Sequence, residues 1–175
     1  MMRHFLFALA CLLLATVGAA AQKQESPDSP RAADTSVVIG GEVDHPRTLS
    51  LSDLLKLPQR SIRLTDHHGS TVTFEGVLLS DVLTLVGAPQ GEKLRGRYLA
   101  SFYLLVTGAG GNGAIFALPE VDPTFTDRET MLAYRANGQP ISADDGPLQI
   151  IVPTDKRHGR WVRHVTGLTV ARVGS

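Results

Sequence analysis

Apolar and polar residues alternate over several short stretches of the chain. Ile62 and Leu64 are separated by polar residues, and Val72 and Phe74 repeat this pattern a few positions later. A period of two places one face of a segment in the core, so we expect two half-buried strands joined by a turn. Residues 146–153 instead form a short, mostly apolar run bounded by prolines, which predicts a fully buried strand.

A different spacing marks two short helices. Leu51, Leu54 and Leu55 follow a helical repeat, and we expect Ser52 to be the N-cap and Pro58 to end this helix. The second helix is predicted by a set of apolar residues that stops just before a glycine: Leu79, Val82, Leu83 and Val86.

The other signals are those of strands and turns. An apolar stretch at 98–106 predicts a strand, and Asn137-Gly138 is a typical hairpin turn. Residues 160–173 are expected to supply the last strand or two. Many short strands and two short helices, without regular alternation, predict an α+β fold rather than a doubly wound α/β fold.

The first 21 residues have the pattern of a secretory signal peptide. Arg3 gives a basic start, residues 5–17 form an apolar core too short to span a bilayer, and residues 19–21 are all alanine. We expect cleavage before Gln22 and a periplasmic or secreted mature protein. A lipid anchor at Cys11 is the alternative, and it is disfavoured because the apolar run continues beyond this cysteine.

The expected cleavage defines the rest of the organisation. Residues 22–36 contain two prolines and no large apolar residue, which predicts a disordered linker, and residues 37–175 form one domain.

Removal of Arg3 leaves 16 basic residues against 17 acidic ones. This balance argues against a nucleic-acid partner, and no membrane contact is expected after cleavage. Because Cys11 is the only cysteine, the mature chain offers no thiolate.

Gly108, Gly110 and Gly113 match the G-x-G-x-x-G spacing of dinucleotide-binding loops. Such a site also needs a helix after the last glycine, whose N-terminus receives the pyrophosphate. Residues 114–121 (AIFALPEV) indicate a returning strand and contain a proline. We therefore interpret the glycines as the loop of a hairpin.

Asp66, His67 and His68 form a polar cluster after a predicted strand. If the strand continues, Asp66 and His68 share a face, which suits a metal or an acid–base role. Gly69-Ser70 follows directly and favours an ordinary turn. We assign no metal ligand here, and we retain His67 and His68 as candidate ligand-binding residues.

Residues 154–164 (TDKRHGRWVRH) contain four fixed positive charges and the only tryptophan. We expect a loop followed by a strand with alternating faces, and no acidic run nearby to neutralise the cluster. Arginine forks and an exposed glycine backbone suit a small anionic ligand, with the tryptophan as an apolar wall. The candidate binding residues are Arg157, His158, Arg160 and Trp161. The alternative is a solvated basic hairpin with Trp161 in the core.

The order of these features resembles a sulfite-oxidase-type molybdopterin-binding domain, most of all its small, stand-alone exported members. The resemblance runs from about residue 37 to the C-terminus. It rests on F-x-G-V-x-L-x-D-V-L at 74–83, on the segment from Asn137 to Pro153, and on RWVR at 160–163. It implies an α+β fold with mixed sheets, and a molybdopterin-type cofactor whose phosphate, or an anionic substrate, faces Arg157, His158 and Arg160.

The resemblance fails at one position. Family members bind molybdenum through a cysteine in the loop that corresponds to residues 65–71, and this loop reads TDHHGST here. A neutral histidine does not replace a soft thiolate. Two readings follow: an oxidoreductase-like protein with an altered metal site and an unidentified redox partner, or a non-catalytic periplasmic module that keeps an anion pocket. An enzyme of another class that uses Asp66, His67 or His68 is the third hypothesis, and catalytic residues are not assigned.

The predicted cleavage can be tested by mass. Intact-mass measurement of the exported protein should give a chain that starts at Gln22, because the alanine run follows the apolar core directly. A mature chain that retained Cys11 with the mass of a lipid would contradict the assignment.

Overall fold

The structure is a computed structural model, which describes residues 35–66, 69–96, 99 and 101–174. Its elements, in chain order, are β1 (Ser36–Gly41), β2 (Arg47–Ser50), α1 (Leu51–Leu54), β3 (Gln59–Thr65), β4 (Thr71–Leu78), α2 (Leu79–Leu85), β5 (Phe102–Gly108), β6 (Gly113–Ala117), β7 (Met131–Ala136), β8 (Gln139–Pro140), β9 (Gln149–Ile151) and β10 (Val165–Arg172). Short 3₁₀ turns lie at Gly91–Leu94, Ala109–Gly111, Leu118–Glu120 and His158–Arg160.

The strands form two sheets. The first has the order β2-β1-β10-β5-β6, in which β1 and β10 are parallel and the other neighbours antiparallel. The second has the order β3-β4-β7-β8, and β9 also pairs with β7; all its pairs are antiparallel. Mixed and antiparallel sheets with few short helices confirm the predicted α+β fold.

The core is built from the alternation that the sequence displays. In β5, Phe102, Leu104 and Val106 are buried, and their neighbours are partly exposed. In β4, Val72 and Phe74 face the core in the same way. All three residues of β9 are buried, which confirms the buried strand predicted in this region.

The turns follow the chemistry of their residues. Asn137 and Gly138, both with positive φ, connect β7 to β8, as the hairpin prediction required. The segment from Gly108 to Gly113 joins the antiparallel strands β5 and β6, so it is a hairpin loop with no helix behind it. Neither helix in the described part of the chain has the length and apolar character needed to cross a membrane.

Two local predictions were wrong. The first helix is capped by Ser50, not Ser52, and it ends at Leu54, well before Pro58. Ser50 Oγ accepts a hydrogen bond from the Asp53 amide at 3.3 Å, and the Asp53 carboxylate accepts one from the Ser50 amide at 3.1 Å. This reciprocal pair requires residues three apart, and Ser50 and Asp53 have that spacing.

The second wrong prediction concerns residues 160–164. They do not form a strand with alternating faces, since a 3₁₀ turn ends at Arg160 and β10 begins only at Val165. The Trp161 amide donates to the His158 carbonyl at 3.0 Å, and Val165 donates to Leu148 at 2.9 Å. These bonds bend the segment over the end of β9 instead of extending it.

The fold makes a specific demand on Gly76, which lies where the register of β4 against β7 shifts. A Cβ added to Gly76 would lie 2.2 Å from the Leu132 carbonyl oxygen. Gly76→Ala should therefore destabilise the protein by at least ~1–3 kcal/mol, because the two backbones must separate. Gly40→Ala is the matched control, since its Cβ would meet nothing within 4 Å. Denaturant unfolding of both variants measures the effect, and equal stabilities would contradict the close approach.

Candidate functional site

A cleft of about 320 Å³ opens beside the 3₁₀ turn that ends at Arg160. We call it the first cleft. Its wall comes from the hairpin loop before β6, from β9 and from the segment leading to β10, and it includes Asn112, Gln149, His158, Trp161 and Arg163. Three segments far apart in sequence thus meet at one depression.

Trp161 belongs both to the core and to the first cleft. It is only 7% exposed, and its indole Nε1 donates to the Val152 carbonyl at 3.1 Å. The Phe74 and Trp161 rings are perpendicular, with a centroid distance of 5.7 Å. The His158 ring stacks on Trp161 at 3.9 Å with an interplanar angle of 28°. The tryptophan therefore holds the histidine against the cleft wall.

Gln149 is the most unusual polar residue of the site. It is 2% exposed in the fully buried strand β9, yet it lines the first cleft. No group in the described part of the chain hydrogen-bonds to its side-chain amide. Its amide atoms are not fully enclosed by protein, unlike Asp81 Oδ2, and they reach the cleft, so its donor and acceptor are available to a ligand.

A second cleft, of about 230 Å³, also has Gln149 in its lining. It is lined by Gln149 and by Asp66, Asp145, Asn137 and Phe74 among others. Arg163 of the first cleft and Asp145 of the second form an ion pair with an N–O distance of 3.3 Å. The Trp161–Phe74 contact joins the two clefts in the same way, so they share one wall.

The structure brings some of the predicted binding residues to the first cleft and leaves others away from it. His158 and Trp161 line the cleft. Arg157 is exposed and does not contribute to its lining. His67 and His68 lie outside the described residues.

Arg160 points away from the first cleft. Its Nε and Nη2 donate to the two carboxylate oxygens of Asp155 at 2.8 and 2.7 Å, and Nη1 lies 3.3 Å from Glu120. Its guanidinium also covers the Phe116 ring at 4.7 Å. No acidic run lies beside the cationic stretch in the sequence, but the single acids Asp155 and Glu120 neutralise Arg160 in the fold. Anion binding by Arg160, as the sequence predicts, would require these ion pairs to open.

The Arg160 fork also controls the charge of its partner. Its hydrogen bonds outweigh the effect of burial and hold the pKa of Asp155 below the usual range, and Asp155 raises the pKa of Arg160 in return. The pair thus stays ionised at neutral pH. A carboxyl group whose pKa is lower in the folded than in the unfolded state stabilises the fold at pH values above its unfolded-state pKa. This stabilisation is lost as the pH falls through the folded-state pKa.

Sequence reasoning did not find Gln149, Arg163 and Asn112 as site residues. Gln149 had a visible signal, because it is the one amide in an otherwise apolar strand. Arg163 and Asn112 had none, since only the fold brings the β5–β6 loop to the segment before β10.

The model of the oxidoreductase molybdopterin binding domain family matches residues 24–174. The chain belongs to this family. The fold also matches the crystal structure of the sulfane dehydrogenase SoxCD from Paracoccus pantotrophus, with a TM-score of 0.63 and 22% sequence identity. The match covers 84% of this chain and 41% of the SoxCD chain, so the chain spans less than half of that protein's length. No curated protein sequence matches the chain.

The first cleft presents hydrogen-bonding groups to a ligand. Its unpaired Gln149 amide can serve a heterocycle that both donates and accepts hydrogen bonds, and Arg163 and His158 supply cationic or polar groups at the rim. No group of three or more histidine, cysteine, aspartate or glutamate residues in the described chain could hold a metal ion.

The unpaired state of Gln149 can be tested by stability alone. Gln149→Met keeps the volume and removes the buried polar atoms, so it should leave the protein as stable or stabilise it by about 1 kcal/mol. The control is Gln139→Met at an exposed position of β8, which should change stability by less than ~0.5 kcal/mol. Chemical denaturation gives both values. A loss of 2 kcal/mol or more in Gln149→Met would mean that the amide has a structural partner.

Proposed function

We propose that the protein is an exported member of the molybdopterin-binding oxidoreductases that binds its cofactor in the first cleft and has an altered metal site. The observation that carries the proposal is the pairing of the family match with Gln149, whose side-chain amide has no hydrogen-bond partner among the described residues and lies in the lining of this cleft. The alternative of a non-catalytic binding module is not favoured by the family assignment.

Different residues of the first cleft would contact different parts of such a cofactor. Gln149 and His158 would contact the heterocycle, and Trp161 supports His158 by stacking on its ring. Arg163 Nη1 already donates to Asp145, and its remaining N–H groups can donate charge-assisted hydrogen bonds to an anionic group at the rim. A Cβ at Gly159 would meet nothing within 4 Å, so the backbone there is open to a ligand.

Arg157 is the candidate for the cofactor's phosphate end. It directly precedes the 3₁₀ turn that carries His158, and it is exposed, with no ion pair among the described residues. Arg160 in the same turn is committed to Asp155 and Glu120. A guanidinium without an internal ion pair can bind a phosphate without first breaking a contact inside the protein.

The altered metal site follows from the donor set of the chain. When bound, a molybdopterin cofactor supplies the metal-centred redox chemistry, and the protein supplies binding and electrostatics. The family's thiolate is missing from residues 65–71, and the only cysteine of the chain is Cys11 in the proposed signal peptide. The metal would therefore depend on the cofactor's own donors.

The proposal is tested on mature protein purified from the native exported fraction. Fluorescence of the oxidised, released pterin should show close to one pterin per chain, and sulfite oxidation should be weak or undetectable because the thiolate ligand is missing. Absence of pterin would contradict the cofactor assignment. Robust sulfite oxidation with stoichiometric molybdenum would contradict the altered metal site.

The same proposal assigns Arg157 to the anionic end of the ligand. Phosphate titration into protein freed of cofactor should show that Arg157→Ala weakens binding by about 1.5–3 kcal/mol, the range for hydrogen bonds to charged groups. Arg47→Ala, an exposed arginine on the edge strand β2, is the matched control and should bind phosphate like the wild type. Thermal melting should show both variants folded.

A further inference from the structure

The first sheet has one buried face and one open face. Positions in its strands alternate between the core and the opposite side, and the strand pairing aligns the outward positions on one surface, which we call the outer face. It consists of the even-numbered positions 36–40 of β1 and 48–50 of β2, and of the odd-numbered positions 103–107 of β5, 113–117 of β6 and 167–171 of β10.

The outer face is uncharged and partly apolar. None of its positions is an aspartate, glutamate, lysine, arginine or histidine. Val38 is 57% exposed and Ile115 is 60% exposed, so no other element of the described chain covers them. The solvated face of a sheet is normally polar. An exposed surface that combines apolar residues with an absence of charge is typical of a protein–protein contact.

Small and large side chains occupy different parts of this surface. Residues opposite one another in neighbouring strands form rows across the sheet, and the middle row runs from Gly40 through Thr169 and Leu105 to Ile115. The row is therefore low on β1 and high on β5 and β6. A Cβ added to Gly40 would meet nothing within 4 Å, which shows that the space above it is open.

A single two-fold axis brings the high and low parts of two such surfaces together. If the axis lies parallel to the strands and between β10 and β5, it places β10 of one copy over β5 of the other, and β1 over β6. In the middle row, Ile115 then lies over Gly40, and Leu105 lies over Thr169. Each branched apolar side chain thus faces a smaller residue.

The rows on either side follow the same rule under the same axis. In one of them Val38 lies over Gly113, and in the other Tyr103 lies over Ala171. The larger residue comes from β1 in the first case and from β5 in the second, so the match does not result from one bulky strand. The outer face is complementary in shape to itself.

We propose that the outer face binds a second copy of this chain and forms a symmetric dimer. A two-fold contact uses the same surface on both copies, so each pairing of a large with a small residue occurs twice. Because the face carries no charge, it meets its own copy without opposing like charges. An unrelated partner would impose no match between large and small residues of the same surface. The dimer does not depend on the cofactor proposed for the first cleft.

The size of the face sets the strength of the contact. Four strands overlap, at a spacing of ~4.8 Å and with three outward positions at intervals of ~6.6 Å, which gives a patch of roughly 20 by 20 Å on each copy. Two such patches bury about 800 Å² in flat projection, at the low end for specific protein contacts. The sheets would pack with their strands nearly aligned. We therefore expect a weak, reversible dimer.

The dimer is tested by sedimentation velocity of the mature protein over concentrations from the micromolar to the millimolar range. The wild type should pass from the monomer to the dimer value. Ile115→Lys should weaken dimerisation at least tenfold, because it buries a charge without a partner. Leu85→Lys is the matched control at an exposed position of α2, outside the outer face, and it should dimerise like the wild type. Thermal melting should show both variants folded.

Two results would overturn the proposal. A wild type that stays monomeric at every concentration would mean that a different protein covers the face. Equal dimerisation of Ile115→Lys and Leu85→Lys would place the contact elsewhere on the molecule.

The axis itself is tested by mixing two variants. Gly40→Asp should also weaken dimerisation at least tenfold, since each aspartate would lie under an isoleucine. An equimolar mixture of Gly40→Asp and Ile115→Lys should dimerise again, because each mixed dimer has one contact between the new lysine and the new aspartate and one wild-type contact. A mixture that dimerises no better than either variant alone would contradict the proposed two-fold arrangement.

Discussion

The short strand β9 holds the two sheets and both clefts in place. On one side it pairs with β7 through three residues, from Gln149 opposite Ala133 to Ile151 opposite Met131. On the other side the Ile150 amide donates to the Val162 carbonyl at 2.8 Å, and the Val165 amide donates to Leu148 at 2.9 Å. Because Val165 begins β10 in the first sheet, this buried strand connects the second sheet to the first through backbone hydrogen bonds.

The hydrogen bonds to the β9 region also fix the conformation of the cationic stretch at residues 154–164. With Val162 and Val165 bound to the β9 region, Trp161 must turn inward, where Val152 accepts its indole hydrogen and Phe74 meets its ring. The tight turn before it leaves His158 stacked on the outer face of Trp161. The tryptophan is thus a core residue and a cleft wall at once, so the two readings of the sequence were not exclusive.

The parts predictable from the sequence are those governed by local chemistry. The period-two pattern around Val72 and Phe74, the buried run around Ile150 and the Asn137-Gly138 turn each depend on neighbours a few residues away, and all are found in the fold. Ser52, the serine within the helical pattern, was predicted as the cap of the first helix. Ser50 is the cap, because it lies three residues before Asp53, as a reciprocal capping pair requires.

The charge pairing was only partly predictable. Asp155 lies within the cationic stretch, five residues before Arg160, but the other acidic partners come from segments distant in the chain. Arg160 meets Glu120 from forty residues away, and Arg163 meets Asp145 across the loop after β8. Counting charges along 154–164 therefore overstated the free positive charge of this segment.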